Sequence, residues 1–188
     1  VVARGHCAGL IRNPALAAEL VAAAREGAAP LPVSVKTRIG IERSVAETWL
    51  GHLLEQGLAA LTVHGRTVAQ QSEGQADWGA VALAVRLRDA AGLTTLVIGN
   101  GDVRSADQYE QRARESGADG IMIGRGVFED LSIFAAIRAA RGERQDGPPA
   151  FRSLDPARKI AMLRRHLELH RETWGVEVHF SSLKKFAK

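Results

Sequence analysis

The sequence predicts an α/β fold: the C-terminal half of a (β/α)8 TIM barrel, about four βα units, followed by an α-helical segment. Short apolar runs rich in β-branched residues alternate with helical stretches through the first 141 residues. Each run ends in polar or glycine-rich residues: Lys36-Thr37-Arg38, His64-Gly65-Arg66, Asn100-Gly101-Asp102 and Gly124-Arg125-Gly126. Continuous apolar strands separated by helices indicate a parallel sheet covered on both faces. Reactive groups at all four strand ends favour a barrel over a doubly wound sheet, in which decoration gathers at the switch point.

The elements follow in order. Asn13 and Pro14 form a helix start, with an Ala/Leu-rich helix over 14–26. Leu31 to Ile39 reads as the first strand. Ser44 to Gln56 reads as a helix, with Ser44 and Glu47 in capping-box spacing. Strands at Leu58–His64, Thr95–Gly99 and Gly120–Ile123 alternate with helices at Trp78–Ala91, Ala106–Ser116 and Leu131–Ala140. Four such units leave two open parallel edges, which proteins avoid, and Val1–Gly5 follows no strand. The expectation is a fragment, or a chain completed by another.

Three segments result: a partial barrel over 1–141, a linker over 142–154 carrying Gly142, Gly147, Pro148 and Pro149, and a helical segment over 155–188. Asp155-Pro156 starts the last helix, with Ile160, Leu163, Leu167 and Trp174 as its apolar stripe.

Composition narrows the function. Of 188 residues, 46% are hydrophobic and 24% charged, a globular balance. No apolar run approaches the roughly 20 residues that span a bilayer, and the N-terminus does not read as a signal peptide. One cysteine excludes an internal disulfide framework, and the expected location is the cytoplasm. Residues 151–188 hold 9 Lys/Arg against 4 Asp/Glu, whereas residues 1–150 are near neutral at 16 against 17. A basic tail suits a polyanion, nucleic acid first; a solvated helix face is the plainer reading.

The glycine loops Gly99-Asn100-Gly101-Asp102 and Gly124-Arg125-Gly126 let backbone N–H groups approach a phosphate, and Arg125 adds a bidentate partner. Lys36 and Arg38, two residues apart on a strand, point the same way. His64 can donate a hydrogen bond or move a proton, and Arg66 and Gln70 follow in its loop. Each has a bland alternative: a tight turn, a solvated strand-end lysine, a structural histidine. Cys7 reads as a small buried residue rather than a nucleophile. No His/Cys/carboxylate grouping has metal spacing, and His166 with His170 reads as a basic face.

Five collinear segments resemble the tRNA-dihydrouridine synthase family: Val33-Ser34-Val35-Lys36-Thr37-Arg38, Leu61-Thr62-Val63-His64-Gly65-Arg66-Thr67, Ala76-Asp77-Trp78, Ile98-Gly99-Asn100-Gly101-Asp102, and Asp119 through Gly126. The resemblance covers about residues 1–138 and implies an FMN-binding barrel followed by a helical tRNA-binding domain. It implies that Lys36 and His64 contact the flavin and that Asn100, Gly101, Asp102, Gly124 and Arg125 hold its phosphate. Arg38, Arg66 and Gln70 would face the flavin or the target uridine. The implied reaction reduces the uridine C5–C6 bond: NADPH reduces FMN, hydride passes to C6 and a cysteine protonates C5. The tail from Leu163 to Phe186 would contact tRNA phosphates.

The family's cysteine lies in an Asn-x-Gly-Cys-Pro motif that this sequence lacks, and Cys7 does not match it. No catalytic residue is therefore assigned, and the N-terminal half of the barrel is expected as a missing partner. Two alternatives stand: a non-catalytic tRNA-binding remnant, and another FMN-dependent barrel oxidoreductase acting on a small molecule.

Overall fold

The computed structural model describes residues 2, 5–143 and 154–176. A 3-10 helix, Cys7–Arg12, precedes α1 (Pro14–Ala28), β1 (Ser34–Arg38), α2 (Ala46–Leu54), β2 (Ala60–His64), α3 (Trp78–Ala90), β3 (Leu96–Asn100), α4 (Ala106–Ser116) and β4 (Gly120–Met122). Beyond these lie α5 (Gly126–Glu129), α6 (Ile133–Ala140) and α7 (Pro156–Trp174). The strands form one sheet in the order β1-β2-β3-β4, every neighbouring pair parallel.

Sequential order decides where the helices go. Each crossover returns the chain to the next position on the same side, and right-handed crossovers then place the connecting helices α2, α3 and α4 on one face. Burial agrees. Leu61, Val63 and Val97 are fully buried on that face, in a core with Leu50, Leu53, Val81 and Ala84. The opposite face leaves Leu96 51% and Met122 38% exposed. The expected cover on both faces is thus replaced by cover on one, the winding of part of a TIM barrel rather than of a doubly wound sheet.

Local signals account for most boundaries. Asn13 caps α1 by accepting from the Leu16 N–H at 3.2 Å, and Pro14 sits in its first turn. Asp77 caps α3 through Ala80 N at 3.1 Å, and Asp155 caps α7 through Arg158 N at 2.9 Å. The Ser44/Glu47 capping box does not form. Ser44 bridges Gly40 in a tight loop and Val45 N donates to Ile39 O at 2.8 Å, so α2 starts at Ala46 and Glu47 falls too early to reach back. Asp119 pins β4 to β3, accepting from Val97 N at 2.7 Å and from Arg88.

The chain divides into two compact units: residues 1–103 with 108–124, and residues 104–107 with 125–188. Within the second, α7 turns a different stripe inward than its apolar residues suggest. His170 is buried and Leu163 and Leu167 are partly so, while Ile160 and Trp174 are 53% and 66% exposed. His170 belongs to the packed stripe rather than to a basic face. Cys7 is exposed, because it opens the 3-10 helix at a φ of 52° instead of entering the core. Most of the expected linker and the Lys184-Lys185 end of the tail lie outside the described residues.

Candidate functional site

Strand register gathers the predicted polar groups into rows. Arg38 pairs with His64, His64 with Asn100 and Asn100 with Met122 across the C-terminal ends of the four strands. Two residues back along each strand, Lys36 aligns with Thr62, Ile98 and Gly120. Side chains alternate along a strand, so both rows lie on the face opposite the helices. Lys36 and Asn100, 64 positions apart in sequence, therefore share one surface.

The loops beyond the strands are held by their own side chains. Arg66 is 2% exposed and faces Asp102, with Nη2 at 2.8 Å from Oδ1 and 2.6 Å from Oδ2. Its Nε donates to Glu73 O at 3.2 Å and Nη2 also donates to Gly74 O. Asp102 Oδ2 accepts from Ala76 N at 2.8 Å as well. Arg38 Nη1 donates to Thr67 O at 2.7 Å and to Gln71 O at 2.9 Å. Gln70 accepts from Thr67 N at 2.8 Å through Oε1. Thus Arg66 and Gln70 brace the β2–α3 loop, and the Asp102 charge is matched by a guanidinium.

Glycine placement is steric here. A Cβ on Gly99 would lie 2.4 Å from the Trp78 ring, and one on Gly101 2.4 Å from the Ala76 Cβ. Gly101 also has φ 139°, a region that favours glycine. Trp78 completes the turn by donating from Nε1 to Gly101 O at 3.2 Å. The Ala76-Asp77-Trp78 run therefore supports the Gly99–Asp102 turn, a role its sequence does not reveal. Asn100 Nδ2 donates to Met122 O at 2.8 Å, tying the turn to β4. A Cβ on Gly124 would meet no atom within 4 Å, so open space lies beside that backbone. Arg125 stands at the N-cap of α5, in the second unit.

The electrostatics follow from crowding of cations. His64 is pulled down to about 4, first by burial and then by Arg38, Lys36 and Arg66, with Asp102 opposing. It is neutral at pH 7. Lys36 is lowered by burial and then by Arg38, and Arg38 by burial and then by Arg66. Such a surface favours a ligand that brings negative charge. Among the described residues no group of three His, Cys, Asp or Glu could hold a metal ion, and no helix is long and apolar enough to cross a membrane.

A parallel sheet in sequential order with cationic and glycine-rich strand ends is consistent with part of a TIM barrel, a class whose sites lie at the C-terminal ends of the strands. The sequence matches the model for dihydrouridine synthase (Dus) over residues 1–187. The chain belongs to that family. It is 38% identical over 173 residues to "Probable tRNA-dihydrouridine synthase 2" of Bacillus subtilis, covering 92% of this chain and 49% of that protein. It is 35% identical over 190 residues to "Probable tRNA-dihydrouridine synthase" of Staphylococcus epidermidis, covering 100% of this chain and 54% of that protein. A Staphylococcus aureus relative of the same name is also 35% identical over 190 residues. The chain spans about half the length of these relatives.

Proposed function

We propose that this chain supplies the C-terminal part of an FMN-dependent, NADPH-driven tRNA-dihydrouridine synthase that reduces uridine to 5,6-dihydrouridine in tRNA in the cytoplasm. The observation that carries the reading is the register row Arg38–His64–Asn100 with Lys36 behind it, all on the face away from the helices. The donor set fits FMN. Cations suit an anionic ring and phosphate, and the open space beside Gly124 leaves room for close approach.

Bound FMN would supply the hydride chemistry, taking electrons from NADPH and delivering hydride to uridine C6. The chain's residues do the rest. Lys36 stabilises negative charge on the reduced ring, and His64, neutral at pH 7, contributes a hydrogen-bond donor without adding charge. The backbone of Asn100, Gly101 and Gly124 holds the ribityl phosphate. Asp102 serves that loop through its bond to Arg66 rather than by touching an anion. Arg38 and Gln70 shape the loop over which the target uridine enters after leaving its stack. We place the barrel at residues 1–141, a linker at 142–154 and the start of a helical tRNA-binding domain at 155–188.

The proton donor to C5 lies outside this chain's assigned residues, and the N-terminal half of a family barrel is the partner that supplies it. The test is dihydrouridine content of tRNA from cells lacking their own synthases. Coexpression of this chain with such a half is expected to restore dihydrouridine, and the chain alone is expected to give none. Dihydrouridine from the isolated chain would overturn the divided-site reading.

A further inference from the structure

The His64 ring is gripped along one edge. Arg66 Nη1 lies 3.5 Å from His64 Nε2, and a Cβ built on Gly101 would come 3.6 Å from His64 Cδ2. The Nε2–Cδ2 edge therefore faces the interior, toward Arg66 and the Gly101 turn. A guanidinium carries only N–H donors and no lone pair. An imidazole nitrogen facing it must be the acceptor, which leaves the ring's single proton on Nδ1. We infer that Arg66, locked by Asp102, is a positioning residue that fixes His64 as the Nδ1–H tautomer and turns that N–H away from the loop, toward the face shared with Lys36.

Arg66 is well placed for this. It has no freedom to swing out, since both Asp102 oxygens and the carbonyls of Glu73 and Gly74 hold its guanidinium. Asp102 is itself tethered by Ala76 N at 2.8 Å. The groups facing His64 are Arg38 and Lys36 from β1, Arg66 from its own loop and Asp102 from the β3–α4 loop. Three cations against one carboxylate disfavour a second ring proton, so the ring keeps one proton at a fixed atom. This assigns Arg66 to the histidine instead of to the substrate. A neutral Nδ1–H can donate to a carbonyl oxygen or ring nitrogen of a bound heterocycle, and it offers no lone pair there.

The consequence for a flavin rests on the proposed function; the tautomer does not. The experiment therefore uses the flavin-free chain, with side-chain 15N chemical shifts of His64 read at pH 7. The expected result is a protonated-type Nδ1 and an unprotonated-type Nε2. In Arg66→Met the preference should relax toward a mixture of the two neutral forms, with the other histidines unchanged. An Nε2–H tautomer, or a doubly protonated ring at pH 7, in the wild-type chain would overturn the inference. So would an unaltered Nδ1–H signal in folded Arg66→Met. If that variant fails to fold, the wild-type spectrum still decides. Absence of flavin binding would leave this result untouched and count only against the proposed function.

Discussion

Arg66 and Asp102 form an ion pair of 2.6 Å that joins the loop after β2 to the loop after β3. The guanidinium is buried and the carboxylate is partly exposed, so the two partners are unequal. Removing the carboxylate leaves a buried cation without its counter-charge. Asp102→Ala is expected to cost roughly 3–5 kcal/mol, the range for breaking one side of a buried pair. Asp102→Asn, which keeps an acceptor for Ala76 N, should cost less. Urea denaturation midpoints of the two variants check both the size and the order.

Gly101 and Gly124 should respond differently to the same methyl group. Gly101→Ala puts a Cβ into Ala76 at a φ of 139°, so it should destabilise the fold by about 1–3 kcal/mol. Gly124→Ala meets no atom within 4 Å and should leave stability within about 0.5 kcal/mol of wild type. If a phosphate approaches Gly124, that variant loses flavin affinity in the completed barrel while its melting curve stays unchanged.

Trp49 is buried and donates from Nε1 to Thr37 Oγ1 at 2.8 Å, on the strand that carries Lys36 and Arg38. Thr37→Val keeps the shape and removes the acceptor. The stranded indole N–H predicts a loss of roughly 1–3 kcal/mol, measurable by thermal or urea unfolding.

His64 sets a pH window for stability. Its folded value of about 4 lies below the unfolded value of 6.5, so between these limits the unfolded chain binds more protons. Its contribution is intact above pH 6.5 and is lost as pH falls toward 4. Urea midpoints at pH 7.5 and 5 should differ more in wild type than in His64→Gln, which has no such proton to gain.

The sequence made the alternation of strands and helices legible because each buried strand is a short β-branched run, and because Asn13, Asp77 and Asp155 are true caps. It also marked Arg38, His64 and Asn100, the polar strand-end residues that the register aligns. Three features depended on contacts that no local pattern encodes. Arg66 looks like a loop cation facing the flavin or the target uridine until the fold brings Asp102, 36 residues away, against it. Ser44 looks like a capping-box residue until its bridge to Gly40 delays the helix. The inward stripe of α7 passes through His170 rather than Trp174, which periodicity among apolar residues does not show. The short helix Gly126–Glu129 carries too few residues for any period to register.

The most direct test of the proposed flavin site is the visible absorption spectrum of this chain copurified with a family-type N-terminal half barrel. A bound-flavin spectrum is expected from the pair, lost or strongly weakened by Lys36→Gln. A folded pair that retains no flavin, even when purified with added FMN, would contradict it.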